Sequence, residues 1–274
     1  MGGTVLTKQQ QGQLVIIGGA EDKKGECKIL RRFFKLAGGR NAHIVVLSTA
    51  SSDPHAGIQY QRIFNDFGAE QVQVFAIQNR EEAASTQFCD SLKDSTGIFF
   101  TGGDQLRITG ILGGSVLGGE LLKSFERGAV IAGTSAGASV MSETMLVGGL
   151  DDATPSKEII RMAPGLGLIK DVIVDQHFAQ RGRIGRLLTV VAHNPYILGI
   201  GIDEDTAIVI DGTEEFEVIG SGTVTVLDGR QVTHSNVSES SPDQPLALIN
   251  VKVHILPSEY RFNLYERFVT MPAK

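Results

Sequence analysis

The chain has 274 residues, 42% hydrophobic and 20% charged, with 25 Lys and Arg against 31 Asp and Glu. That size and balance suit one substantial core and exclude a disordered chain or a coiled coil. A formal charge of −6 argues against a general nucleic-acid or anionic-membrane surface, and no run of about eighteen apolar residues marks a transmembrane helix.

Met1–Gln13 is polar, carries Gln9-Gln10-Gln11 and lacks the apolar segment of a secretory signal, so it reads as a flexible tail. Leu14–Ile17 is then a strand ending at Gly18-Gly19, followed by a helix near Lys24–Leu36. Ile44–Leu47 leads into the Ser/Thr-rich Ser48–Asp53 and a helix over Ile58–Phe67. Val72–Ile77 precedes helical Glu81–Leu92, and Ile98–Phe100 stops at Gly102-Gly103. A helical interval through Leu121–Glu126 returns to the strand Ala129–Ala132, which closes on Gly133. Continuous apolar strands separated by helices imply a doubly wound α/β fold, its mainly parallel sheet covered on both faces. Glycine supports this, at 33 residues or about 12% against a usual ~7%, because tight strand-to-helix turns need it.

Beyond Asp205 the texture changes. Ala207–Ile210, Phe216–Ile219, Val224–Leu227 and Leu246–Ile255 are strand-like with no helix between them, which favours antiparallel pairing. Residues 206–270 are therefore read as a strand-rich extension of a single domain spanning 14–274, with Ser235–Gln244 a loop. Cys27 and Cys89 have neither CxxC nor secreted-scaffold spacing, so both are expected to be reduced core residues in a cytoplasmic protein.

Ligands of open α/β sheets bind beyond the carboxyl ends of the strands. Four segments lie there: Gly18–Glu21, Ser48–Ser51, Thr101–Gln105 and Gly133–Gly137. The last, Gly133-Thr134-Ser135-Ala136-Gly137, matches the G-x-S-x-G nucleophile elbow, with a strand before it and small residues able to open a helix after it. Serine at its ordinary acidity is a poor nucleophile and needs a base, which in turn needs an orienting acid. Of six histidines, His43 and His254 lie in strand-like runs, His55 and His234 in loops, and His193 at a helix end. His177 follows the apolar run Val172–Asp175 and is the expected base. Glu204, just past Ile197–Ile202, is the preferred acid. Asp151 and Asp152 would instead give the Ser-Asp-His order of α/β-hydrolases, and spacing does not choose between them. The expected oxyanion donors are the N–H groups of Ala136 and of Gly103, where a missing Cβ would let the backbone approach a substrate.

Ile184, Leu187, Leu188 and Val191 form one apolar helix face, placing Arg181, Arg183 and Arg186 at the helix start. Cations there oppose the helix dipole, so an external anion is the expected partner, and arginine forks suit carboxylates. Nucleotide-binding glycine motifs, HExxH and paired CxxC are all missing, so neither a nucleotide nor a metal cofactor is expected.

Ile16–Lys23, Thr101–Arg107, Ala132–Ala138, Asp175–Phe178 and Gly201–Thr206 together resemble the cyanophycinases. These serine peptidases are grouped with the aspartyl dipeptidases and are similar in fold to class I glutamine amidotransferases. The resemblance runs from about Leu14 to Ile210, and the three arginines favour the cyanophycinases over the dipeptidases. It implies exolytic breakdown of cyanophycin, a poly-aspartate backbone with arginine on each β-carboxylate, to β-Asp-Arg. It also implies Ser135 as nucleophile, His177 as base and Glu204 as acid, with substrate contacts at Gln105, Asp175, Gln176, Arg181, Arg183 and Arg186. A substrate guanidinium would further suit Asp104. No cofactor and a homodimer are implied as well. Ser139 departs from the pattern, where alanine is expected. Two other readings stay open: a dipeptidase acting on short N-terminal aspartyl peptides, and a non-catalytic carboxylate-binding relic.

Overall fold

A computed structural model describes residues 12–53, 55–148, 154–212 and 215–272. Met1–Gln11 of the expected tail, and Asp151 and Asp152, lie outside the described residues. Gly12 and Gln13 are already tied down: Gly12 N donates to Phe125 O at 2.7 Å, and Gln13 O accepts Ile131 N at 2.9 Å.

The first half alternates strand and helix: β1 (Leu14–Ile17), α1 (Lys28–Leu36), β2 (His43–Leu47), α2 (Ile58–Phe67), β3 (Gln71–Phe75), α3 (Thr86–Lys93), β4 (Gly97–Phe100), α4 (Gln105–Leu112), α5 (Val116–Glu126), β5 (Val130–Thr134) and α6 (Ala136–Ser139). Where one helical interval is expected after Phe100, two helices form. Asp104 caps the first by accepting Leu106 N, and Ser115 caps the second by accepting Gly118 N.

The second half is strand-rich: β6 (Thr144–Gly148), β7 (Arg161–Pro164), β8 (Val172–Gln176), α7 (Ile184–His193), β9 (Leu198–Ile202), β10 (Thr206–Ile210), β11 (Glu215–Gly220), β12 (Thr223–Asp228), β13 (His234–Ser235), β14 (Leu248–Ile249), β15 (Lys252–Pro257), β16 (Arg261–Asn263) and β17 (Val269–Thr270). The β6–β7 hairpin has no forerunner in the sequence reading, and the run Leu246–Ile255 divides into β14 and β15.

Strands β1 to β5 form a parallel core in a nine-stranded sheet of order β17-β16-β11-β10-β1-β5-β4-β2-β3, and the strands beyond β1 run antiparallel. Alternate side chains leave this sheet in opposite directions. Val15, Ile44, Phe99 and Ala132 pack with Leu30, Phe33 and Phe64 of α1 and α2. Ile16, Val45, Ile98 and Ile131 pack with Leu92 and Leu121 of α3 and α5. Both faces are therefore covered, which is why these strands read as unbroken apolar runs.

A second sheet accompanies the first. Strands β8 and β9, parallel to each other, belong with β12 and β15 to a separate four-stranded sheet, β15-β12-β9-β8. Val174, Ile200 and Val226 of that sheet join the core beneath the first sheet. Its other face, through Ile173 and Leu227, meets Leu187 and Val190 of α7. Cys27 and Cys89 are buried and unpaired with each other. No helix among the described residues is long and apolar enough to cross a membrane.

Candidate active site

The carboxyl ends of β1, β4 and β5 from the first sheet meet those of β8 and β9 from the second. At each of these ends except that of β4 a non-glycine residue takes a positive φ: Ala20 at 49°, Ser135 at 53°, His177 at 49° and Asp205 at 47°. Such backbone costs about 1–3 kcal/mol per residue and concentrates at functional sites.

Ser135 occupies the bend between β5 and α6. The turn closes only because its flanks lack side chains. A Cβ on Gly133 would lie 2.3 Å from Gly137 O, and one on Gly137 would lie 2.6 Å from Phe100 O. Ser135 N donates to Ile17 O at 3.1 Å, fastening the bend to β1.

His177 leaves β8 with its N–H donating to Gly18 O at 2.8 Å, a bond that joins the two sheets. Its ring reaches Ser135, with Nε2 2.9 Å from Oγ, while Nδ1 lies 2.7 Å from Glu204 Oε1. With Nδ1 protonated towards the carboxylate, Nε2 is left to accept from the hydroxyl. His177 is largely covered and Glu204 more open, at 12% and 38% side-chain exposure, so the carboxylate flanks the site from the solvent side. Glu204 N donates to Gln180 Oε1 at 3.0 Å. Its neighbours turn elsewhere: Asp203 accepts Ala179 N, Thr223 N and Thr223 Oγ1, and Asp205 accepts Asp22 N and Ser221 Oγ. Hydroxyl, imidazole and carboxylate in this order are the groups that nucleophilic acyl transfer uses.

Other expected site residues stand differently. Asp104 is exposed, and its Oδ1 accepts Leu106 N at 2.8 Å as the cap of α4. Gln105 Nε2 donates to Leu146 O at 3.0 Å, binding α4 to the β6 strand. Gly103 has no room for a Cβ beside the segment after β2. A Cβ there would lie 2.2 Å from Ala50 O, whereas one on Gly102 would lie 3.5 Å from Ser135 Cβ. Ala136 is buried at the start of α6.

The three arginines differ in their surroundings. Arg181 is exposed, but Arg183 and Arg186 are buried and meet a carboxylate of the chain itself. Asp175, fully buried, accepts Arg186 Nε at 2.5 Å and its Nη2, and lies 3.4 Å from Arg183 Nη1. Gln176 receives Arg183 at both its backbone oxygen, 2.5 Å, and its side-chain oxygen. A buried carboxylate demands such partners, and arginine forks supply them. Ser139, the departure from the expected pattern, accepts Gln176 Nε2 at 3.0 Å, so this network reaches the helix that carries the elbow.

Sequence reasoning passed over Glu21, Tyr60, Lys23 and Thr134. Glu21 is buried next to the elbow and accepts Thr134 Oγ1 at 2.5 Å and Tyr60 OH at 2.6 Å. The available signal was an acidic residue in a strand-end segment otherwise made of glycine and alanine.

A family model, peptidase family S51, matches residues 14–218. The chain is 45% identical over 263 residues to a cyanophycinase of Trichormus variabilis, covering 95% of this chain and 88% of that one. It is 41% identical over 255 residues to a cyanophycinase of Geminocystis herdmanii, covering 92% and 94%. Among solved structures, a peptidase from an acI-B1 actinobacterium superposes with a TM-score of 0.66 at 21% identity, over 90% of this chain and 99% of that one. That last likeness concerns the fold; the family model and the sequence relatives, agreeing over most of the chain, carry the assignment, and the chain belongs to peptidase family S51.

Proposed function

We propose that this chain is a serine-type exopeptidase that hydrolyses cyanophycin to β-Asp-Arg dipeptides. The observation that carries the reading is the continuous contact from Ser135 Oγ through the His177 ring to Glu204, on a chain with cyanophycinase relatives. Ser135 attacks a backbone carbonyl of the poly-aspartate. His177 Nε2 takes the hydroxyl proton and returns it to the leaving amine, and water then hydrolyses the acyl-enzyme by the same route. Glu204 holds the imidazole tautomer and offsets the imidazolium charge. The N–H groups of Ala136 and Gly103 face the developing oxyanion.

Substrate recognition falls to the rim. Arg181 is the exposed cation for a substrate carboxylate, and Asp104 and Gln105 serve the substrate guanidinium. Asp175, Gln176, Arg183 and Arg186 act from behind the site as the network that holds Gln176 at Ser139. A homodimer and a cytoplasmic location complete the proposal; two buried cysteines without a disulfide suit a reducing compartment.

Incubation of the purified chain with insoluble cyanophycin, followed by mass analysis of the soluble fraction, tests the reading. The expected product is β-Asp-Arg. Turnover of short aspartyl peptides with no release from the polymer would assign a dipeptidase instead, and failure of Ser135 to react with a serine-directed acylating reagent would favour a non-catalytic relic.

A further inference from the structure

Against the elbow lies a buried carboxylate that the proposed reaction does not use. Glu21 is 3% exposed, with its side chain wholly covered. Oε2 accepts Thr134 Oγ1 at 2.5 Å, while Oε1 accepts Tyr60 OH at 2.6 Å and faces Lys23 Nζ at 2.9 Å. Burying a carboxylate is costly unless donors replace its water. Here the donors come from three places: the loop after β1, helix α2, and the last residue of β5. That last residue, Thr134, immediately precedes Ser135.

The end of β1 and the loop after it, which carries Glu21, together touch every strand end of the proposed triad. Ile17 O accepts Ser135 N at 3.1 Å, Gly18 O accepts His177 N at 2.8 Å, and Gly19 O accepts Asp205 N, next to Glu204, at 2.9 Å. Asp22 N donates to Asp205 Oδ1 at 2.8 Å. Serine comes from one sheet and histidine from the other, so their separation depends on this loop.

We infer that Glu21 is a positioning residue: by tying Thr134 Oγ1 to the loop after β1, it sets the placement of Ser135 against His177. The inference rests on Ser135 and His177 acting as nucleophile and base. Burial, and then the Glu21 charge, push the Tyr60 phenol well above its ordinary range, so it stays a donor to Glu21 at any working pH. A displacement near 1 Å between reacting groups lowers turnover by about a hundredfold, which gives a small shift at Thr134 catalytic consequence.

The test compares Thr134→Val, Thr134→Ser and Ser135→Ala in the full chain, with cyanophycin as substrate and circular dichroism to establish folding at the assay temperature. Thr134→Val is expected to lower kcat by about 10- to 100-fold with little change in KM, and Thr134→Ser to restore it to within about threefold. A merely structural bond would lower the melting temperature and leave kcat of the folded protein unmoved, and that result would overturn the inference. Should Thr134→Val fail to fold, Glu21→Asp, which keeps the charge but withdraws it by one methylene, must lower kcat in the same way; wild-type kcat would again overturn it. Retained turnover in Ser135→Ala would instead remove the nucleophile assignment on which the inference rests, a distinguishable failure.

Discussion

The His177 imidazole lies directly over the α-carbon of Gly19: a Cβ there would stand 2.4 Å from Cε1 and 2.6 Å from Nε2. Gly19 also has a φ of 103°, where L side chains rarely go. The base is thus seated on backbone, and the seat is part of the loop that carries Glu21. Gly19→Ala is expected to push the ring off Ser135 and lower kcat by about a hundredfold or more while the protein still folds. Steady-state kinetics beside a thermal melt check this; unchanged kcat would mean that the ring has room to spare.

Removal of the hydroxyl should be the most damaging change of all. Ser135→Ala is expected to leave the melting temperature near that of the parent and to lower turnover by at least about 10⁴-fold, since the base then has no proton to take. Release of β-Asp-Arg from the polymer is the measurement, and substantial residual release would move the nucleophile elsewhere.

Glu204 and Asp152, two of the three candidate acids, separate by substitution. Glu204 Oε1 lies 2.7 Å from His177 Nδ1, so Glu204→Gln should lower kcat by about a hundredfold or more, through loss of the charge facing the imidazolium. Asp152→Asn should have little effect. The reverse ranking would reassign the acid.

Asp175 makes a prediction about stability. Its carboxylate is shared between the buried guanidiniums of Arg183 and Arg186 and offsets part of their charge. Asp175→Ala would strand that charge in the interior and is expected to cost about 3–5 kcal/mol, read from denaturant unfolding. A loss under about 1 kcal/mol would show that solvent or another group takes over.

Acid sensitivity follows from two histidines away from the site. Burial pushes both His193 and His254 below their ordinary value of 6.5, and the buried His254 Nε2 has no hydrogen-bond partner among the described residues. As pH falls past 6.5 the unfolded chain takes up protons that the folded chain refuses. Their contribution to stability is therefore whole above 6.5, declines as pH drops towards the depressed folded values, and levels off below them. Unfolding free energies measured between about pH 7.5 and 5.5 should fall less steeply for His254→Gln than for the parent. Equal slopes would dismiss His254 as a contributor.

Much of this architecture is legible in the chain itself. Strands β1, β2, β4 and β5 announce themselves because sandwiched strands must be apolar on both faces, and the elbow does so because its constraint is local, small residues within five positions. His177 and Glu204 stand out for a related reason: each follows an apolar run, and sites form where such runs end. Contacts between distant segments leave no such mark. Nothing periodic relates Glu21 to Thr134, 113 positions away, or sends β8 and β9 into a second sheet. Nor does the spacing of Arg183 and Arg186 show that the fold delivers the Asp175 carboxylate to both. Sequence alone marked Ser135 as an elbow serine and His177 as the expected base, while leaving the acid among Glu204, Asp151 and Asp152, because hydrophobic periodicity and turn sterics act over a few residues. Tertiary structure alone decided which charges face solvent and which neutralise one another, because burial is set by the packing of both sheets at once.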